Sequence, residues 1–300
     1  MDPKMLEAPP LPPEIQVIAE KELGETEETK RESLAELRRL LAAEPGLTAR
    51  MDDIFLIKFI RGRKYNMDVA LDTVLRYYRA RRDNPDIFNK LVTAHMNFED
   101  VCHKHRLVFM MPTKDYMGRT VLFLRLGAWT PDCCPLVDMQ RMSFLAAEYG
   151  MLDQRTHVIG SVGLIDFKGM HISHVRYYTP FVCRRLAYII QDCCPVRLKG
   201  FYIVNNPPIF STLYTIVKSF LKPKIAERIH LFGTDFDALH KMIPKEDLPP
   251  EYGGTGKPFD FEWFEKELNR KNEYFILDAK HGYRVETDEE LRSKRSTKQA

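Results

Sequence analysis

Side chains able to act as nucleophiles, metal ligands or phosphate cradles are present in this chain, and their spacing decides what each can do. His171 and His174 lie close together, as do Cys102, His103 and His105, yet neither group has a matching second pair at zinc-site spacing. Capping or surface histidines are expected there, and no metal. The adjacent thiols Cys133 with Cys134 and Cys193 with Cys194 are not C-x-x-C pairs, so they read as packing or pocket-lining groups. In GGTGKP (253–258) Pro258 stands where a phosphate-binding loop needs Ser or Thr. GSVG (160–163) lacks the G-x-S-x-G spacing, and Ser161 falls inside an apolar run instead of on a strand-to-helix elbow. With no catalytic constellation left, the chain reads as a binder and not as an enzyme.

Two patterns carry non-covalent chemistry instead. Residues 58–82 hold eight cations (Lys58, Arg61, Arg63, Lys64, Arg76, Arg79, Arg81, Arg82) against Asp68 and Asp72, a local balance of +6. Residues 209–233 join an apolar helix to a short cationic one. Ile209, Leu213, Ile216 and Phe220 form one ridge and Phe210, Tyr214, Val217 and Leu221 another, followed by Lys218, Lys222, Lys224 and Arg228 with the single acid Glu227. A helix that buries one face and ends in cations suits a lid able to exchange the core for a membrane surface.

The elements that must position these residues follow from periodicity. Residues 1–13 are proline-rich and read as disordered; 14–43 reads as one helix with Leu34, Leu37, Leu40 and Leu41 on one side, ended by Pro45 and Gly46. Asp52 or Asp53 caps a further helix and Asp68 opens another, making an all-helical part over 14–95. From Leu107, LVFMMP and TVLFLRLG around Gly118 predict a hairpin. A helix over 136–153, a strand over 157–167, a helix over 180–192 and a strand over 198–205 make a parallel, buried βαβ unit. The lid, a short strand IHLF and a helix over 236–242 complete a domain spanning 96–262. Residues 263–300 read as a charged extension whose end, RSKRSTKQA, is disordered.

Composition bounds the class. With 300 residues, 44% hydrophobic and 29% charged, the chain is expected to be a soluble globular protein. Neither a membrane-spanning run nor a signal peptide opens it, which predicts a cytoplasmic protein. Six cysteines fit reduced thiols, and a net charge of +3 is too small to predict nucleic acid as a partner.

Six motifs, in order, resemble the CRAL-TRIO lipid-transfer family: IKFIRGRKYNMDVAL (57–71), DYMGRTVLFLRLGAW (115–129), IDFKGM (165–170), PVRLKGFYIVNNPPIF (195–210), FLKPKIAERIHLFG (220–233) and LPPEYGG (248–254). The tocopherol-carrying branch is the most similar, beside retinaldehyde binders and clavesins. The resemblance implies an α/β fold, a helical N-terminal part followed by a lipid-binding domain with a mainly parallel sheet and a mobile lid helix. It implies a pocket walled by Gln140, Ser143, Ala147, Ser161, Ile165, Tyr178, Ile189, Cys194, Val196, Phe201, Phe210, Tyr214 and Val217. Gln140 replaces a phenylalanine of the tocopherol carriers and Ala147 a serine, so the ligand is expected to differ, with Gln140 and Ser143 as hydrogen-bonding groups; Lys168, in place of an acid, bears on local surface charge and not on the pocket. The family's phosphoinositide cluster falls on Arg63, Arg197, Lys224 and Arg228, all cationic here.

The function so implied is carriage of a small hydrophobic lipid, tocopherol-, retinoid- or terpenoid-like, with no other cofactor. Exchange would occur during transient contact with endosomal or other phosphoinositide-bearing membranes, where Phe210, Leu213, Ile216, Val217 and Phe220 of the lid face the bilayer. The alternative is a lipid-sensing trafficking adaptor with protein partners; an enzyme acting on a retinoid or sterol ranks behind both.

Overall fold

Local capping chemistry cuts the first part of the chain into more helices than periodicity alone suggests. The computed structural model describes residues 8–284. Helix α1 (Pro13–Leu23) starts on a proline and ends at Gly24, whose φ of 73° is the left-handed conformation that glycine adopts freely. Thr26 then caps α2 (Glu27–Ala42): its Oγ1 accepts from Thr29 N, and Thr29 Oγ1 accepts from Thr26 N. The single helix expected over 14–43 is therefore two, because a glycine stop and a hydroxyl start lie side by side. The described part of the proline-rich segment is ordered: Leu11 is buried with Ile15, Ala19, Leu23 and Val158, and Gln154 Nε2 donates to Pro9 O at 2.6 Å. Residues 1–7 of that expected disorder lie outside the described residues.

After a two-residue strand β1 (Leu47–Thr48), Asp52 caps α3 (Asp53–Gly62) as expected, its Oδ1 accepting from Phe55 N. Asn66, not Asp68, caps α4 (Met67–Asp83) by accepting from Val69 N, which leaves Asp68 in the first turn facing the positive end of the helix dipole. A one-turn α5 (Pro85–Phe88) follows.

The sheet comes next. Strands β2 (Val108–Lys114) and β3 (Thr120–Leu124) form the predicted antiparallel hairpin, with Val108 opposite Leu124 and Gly118 at φ 74° in the turn. Helices α6 (Leu136–Gly150) and α7 (Gln154–Ile159) lead to β4 (Ser161–Asp166). The strand expected from 157 thus begins four residues later. Gly160, at φ 100°, breaks the helix there, and a Cβ on it would lie 2.4 Å from Arg197 O. Then come α8 (Ile172–Val175), α9 (Pro180–Tyr188) running on into a π-helical turn at Ile189–Cys193, β5 (Leu198–Val204), α10 (Phe210–Lys218), α11 (Pro223–Ala226), β6 (Ile229–Gly233) and α12 (Phe236–Leu239). Strand order is β2-β3-β4-β5-β6, with β3 to β6 parallel.

Helices α13 (Phe261–Arg270) and α14 (Asn272–Ala279) and the strand β7 (Gly282–Tyr283) correct the reading of 263–300 as a charged extension. Phe264, Leu268 and Phe275 are buried in the main core, where the Phe264 ring meets Phe109 edge-on at 5.6 Å. Leu47 of β1 pairs with Tyr283 of β7, so this segment closes back onto the helical part. The terminal RSKRSTKQA lies outside the described residues.

Three buried cations and three buried acids hold these parts together. Lys58 Nζ on α3 lies 2.9 Å from Glu148 Oε2 on α6. Arg81 Nη2 on α4 lies 3.0 Å from Glu148 Oε1 and 2.9 Å from Asp278 Oδ2 on α14. Tyr77 donates between the same two carboxylates at 2.9 Å, and Arg50, itself paired with Asp52 at 2.6 Å, stands 3.9 Å from Asp278. Burial alone would raise the Glu148 carboxyl, but Lys58 and Arg81 override it and bring the pKa down to about 2. Much of the +6 segment is thereby consumed internally: Arg61 is likewise buried in a two-bond pair with Glu25 at 2.6 and 2.7 Å.

Glu148→Gln leaves the buried Lys58 without a carboxylate and Arg81 with Asp278 alone, so urea denaturation is expected to show a loss of about 3 kcal/mol, while Lys58→Met added to it recovers part of that loss. A second expectation concerns pH. His157 is buried, and desolvation, then the charge of Arg61, pushes its pKa down to about 3 while a ring nitrogen bonds Met151 O at 2.7 Å. Between its ordinary value of 6.5 and about 3, only the unfolded chain binds this proton. Its contribution is complete above pH 6.5 and falls with acidification by up to about 1.4 kcal/mol per pH unit. Chemical denaturation between pH 7 and 5 should show that slope, and His157→Gln should flatten it.

Candidate functional site

One face of the sheet and three helices enclose an apolar cavity of about 340 Å³. Alternation along the strands brings Leu122 and Leu124 of β3, Ser161, Gly163 and Ile165 of β4, and Phe201 and Ile203 of β5 to its wall. Gly163 is required by its neighbour, since a Cβ there would sit 2.9 Å from the Phe201 ring. Helix α6 contributes Leu136, Met139, Gln140, Ser143, Ala147 and Glu148 at helical spacing; α9 and its π-turn contribute Cys183, Ala187, Ile189 and Ile190. Tyr178, Cys194 and Val196 lie on the connecting segments, and the lid α10 closes the space with Phe210, Leu213, Tyr214 and Val217. All the pocket residues named from the sequence line this one cavity.

The lid is closed. Phe210 and Leu213 are 5% and 3% exposed, Ile216, Val217 and Phe220 are partly buried against the same cluster, and Ser211, Thr212, Thr215, Lys218 and Ser219 face outward. Phe210 packs on Phe167 at 4.7 Å and stacks on Tyr214 at 5.7 Å. Polar ties at both ends went unnoticed in the sequence. Asn205, at φ 53° two residues before the double proline, donates to Asp166 Oδ1 at 2.9 Å. At the far end Gln191 Nε2 donates to Phe220 O at 3.1 Å while its Oε1 accepts from Lys222 N at 2.7 Å, and Lys222 pairs with Asp192.

The wall is not wholly apolar. Gln140, 6% exposed, receives only a long bond of 3.4 Å from Arg185. Ser143 Oγ donates to Met139 O at 2.7 Å, which uses its proton and leaves its lone pairs as acceptors. Tyr77, Arg81 and Glu148 bring the buried charge network to the cavity as well. Their signal in the sequence was helical spacing with charges on an otherwise apolar face. The thiols are suited to packing: burial pushes Cys194 up to about 12, Cys193 and Cys134 to about 11 and Cys102 to about 12, all unfavourable to a thiolate. His171 caps α8, and His174 bonds Trp129 O at 2.6 Å.

The four basic positions are only partly gathered. Arg197 and Arg228 immediately precede the adjacent strands β5 and β6; Arg228 O accepts from Phe201 N at 2.8 Å, and its guanidinium bonds Leu198 O. Arg63 reaches the same segment, donating to Cys194 O at 3.0 Å and to Thr73 at 2.8 Å, where burial lowers its pKa. Lys224 is exposed on α11, one turn before Arg228, with no hydrogen bond or ion pair to the other three. Most of the cations in the +6 segment are spent elsewhere: Lys58, Arg61 and Arg81 are held in internal pairs, and Arg76 pairs with Asp72 at 2.8 Å. Among the described residues no helix is long and apolar enough to cross a membrane.

Comparison with known proteins agrees with this geometry. Residues 104–254 match the CRAL/TRIO domain. The human alpha-tocopherol transfer protein-like protein is 34% identical over 87% of this chain and 75% of its own length, and its mouse counterpart 35% over the same shares. Clavesin-1 of Xenopus laevis is 31% identical over 87% of this chain and 81% of its own. The crystal structure of Sfh5 superposes with a TM-score of 0.55 at 15% identity, covering 85% of this chain and 99% of that one, a likeness of fold. With the domain match, these relatives and the lid-closed cavity on a mainly parallel sheet, the chain belongs to the CRAL-TRIO family.

Proposed function

We propose that the protein carries a small hydrophobic lipid in the cavity and exchanges it at phosphoinositide-containing membranes. The observation that carries this reading is an apolar cavity covered by α10, a helix that runs on through α11 into Lys224 and Arg228, beside Arg197. A lipid of the tocopherol, retinoid or similar terpenoid class, burying ~500 Å² of apolar surface, gains roughly 12 kcal/mol before ordering costs. Departure through a closed lid is then slow, and release needs an event that favours the open state.

Cations near an anionic bilayer contribute about 1 kcal/mol each, so Arg63, Arg197, Lys224 and Arg228 supply at most on the order of 4 kcal/mol, and less while Arg197 is paired with Glu22, enough for transient docking. On opening, Phe210, Leu213, Ile216, Val217 and Phe220 exchange the core for the bilayer, so the lid loses little apolar burial. Inside, Gln140 offers a donor and Ser143 an acceptor to a ligand hydroxyl or carbonyl. The names of the relatives, one a tocopherol transfer protein-like protein, favour a cargo of that size.

Native mass spectrometry of the purified protein, followed by lipid extraction, tests the carrier reading: a single copurifying lipid mass is expected, and a protein that takes up no terpenoid or other lipid from vesicles would refute it. Lys224→Ala with Arg228→Ala removes about 2 kcal/mol of surface attraction, so affinity for phosphoinositide vesicles should fall roughly 30-fold, measured by co-sedimentation. Unchanged binding and transfer would refute the headgroup site. Gln140→Leu should shorten the retention of a hydroxylated lipid by about fivefold relative to its deoxy analogue, read from dissociation rates.

A further inference from the structure

Arg119, Arg197 and Arg228 each stand one residue before a parallel strand, at the starts of β3, β5 and β6, and Lys199 follows on β5. Burial lowers the Lys199 pKa, and Arg197, Arg228 and Arg119 lower it further. This edge is therefore rich in positive charge; Arg119 is held by the buried Asp115 at 2.8 Å, and a second acid is seated among the remaining cations. Glu22, in the last turn of α1, accepts from Arg197 Nη2 at 2.8 Å. That hydrogen bond lowers the Glu22 carboxyl pKa, and Lys199 and Lys64 act in the same direction.

The acid is held in place by its helix. Three residues on, Glu25 is 1% exposed and bound through both oxygens by Arg61. Ala19 and Leu23 are buried against Val158, whose carbonyl accepts from the other terminal nitrogen of Arg197. Helix α1 thus presents a fixed carboxylate to the guanidinium that the headgroup reading assigns to a phosphate. The Glu22 side chain is 44% exposed, so an incoming anion is able to displace it without unpacking the helix.

We infer that Glu22 is a specificity-determining residue, an internal counter-ion on Arg197 that a polyphosphorylated lipid headgroup displaces and a singly charged lipid does not. The inference rests on the headgroup reading above. A phosphatidylserine headgroup offers Arg197 one net charge, no more than Glu22 already supplies. A phosphomonoester brings a charge of about −1.5 to −2 with three acceptor oxygens, and outcompetes it. Discrimination then comes from a contact that a weak ligand must break without recompense. The same phosphomonoester chemistry exists on soluble inositol phosphates; the source assigned here is the lipid headgroup, because Arg228 follows the lid by way of α11 and bonds Leu198 O, next to Arg197.

The test uses the full chain, with vesicles of phosphatidylcholine carrying either phosphatidylserine or phosphatidylinositol bisphosphate at equal total charge, and soluble inositol trisphosphate in a parallel titration. Glu22→Gln is expected to strengthen binding to phosphatidylserine vesicles about threefold and to bisphosphate vesicles less, narrowing the preference between them. Glu22→Asp, too short to reach Arg197 but unchanged in charge, should narrow it in the same direction, and Arg197→Ala should abolish both effects. An effect seen with Gln alone would mean a general charge change and overturn the inference, as would an unchanged preference or a gain that persists in Arg197→Ala. A gain confined to soluble inositol trisphosphate would overturn the assignment to a lipid. If neither the wild type nor Glu22→Gln binds bisphosphate vesicles while the cavity still holds lipid, the headgroup reading itself fails and the inference with it.

Discussion

The arrangement that the rest of the structure depends on is the balanced set of charges among α3, α4, α6 and α14. Lys58, Arg81 and Arg50 face Glu148, Asp278 and Asp52 at ion-pair distance, each side chain at most 12% exposed. Charges removed from water are tolerable only when each finds its partners at hydrogen-bond distance, so the geometry is specified far more tightly than apolar packing would require. Because Glu148 and Arg81 also line the cavity, the same contacts that dock the helical part fix the position of the helix carrying Gln140, Ser143 and Ala147. The cavity wall is rigid on that side for electrostatic reasons.

On the opposite side the constraint is weaker. The lid α10 contributes apolar side chains to the cavity but is fastened by a few polar bonds, from Asn205 to Asp166 at one end and through Gln191 and Asp192 at the other. Its inward residues lose their burial on opening unless another apolar phase receives them. In the proposed exchange a membrane is such a phase, and it offers the lid a second apolar environment that an ordinary core helix lacks. On that proposal the neighbouring cations favour the open lid only when an anionic surface is near, since exposed charges act over about a Debye length.

Much of the fold was legible because it depends on neighbouring residues. The hairpin around Gly118 and the cap at Asp52 follow from periodicity and turn chemistry and stand where they were expected, as does the order of the β4–α9–β5 unit, though not the start of β4. The cavity residues were legible through family motifs, and each lies on the wall. The errors have local causes: Gly24 and Thr26 divide one apparent helix, Gly160 delays β4, and Asn66 outcompetes Asp68 as a cap. The reading of 263–300 failed differently, since charged residues on the outer faces of α13 and α14 masked the buried stripe of Phe264, Leu268 and Phe275.

By itself, the sequence determined the family, the alternation of strands and helices, the apolar face of the lid and the positions where cations stand. Only the tertiary structure decided which of those cations are available. Lys58, Arg61 and Arg81 look no different in sequence from Arg63 or Arg228, but carboxylates far away in the chain, at Glu148, Glu25 and Asp278, neutralise the first three. The physical reason is that periodicity and capping act over a few residues of chain, whereas electrostatic pairing acts through space and is set by packing. Glu22 on Arg197 is the same lesson in its smallest form: an acid remote in sequence occupies a cation at the edge of the sheet.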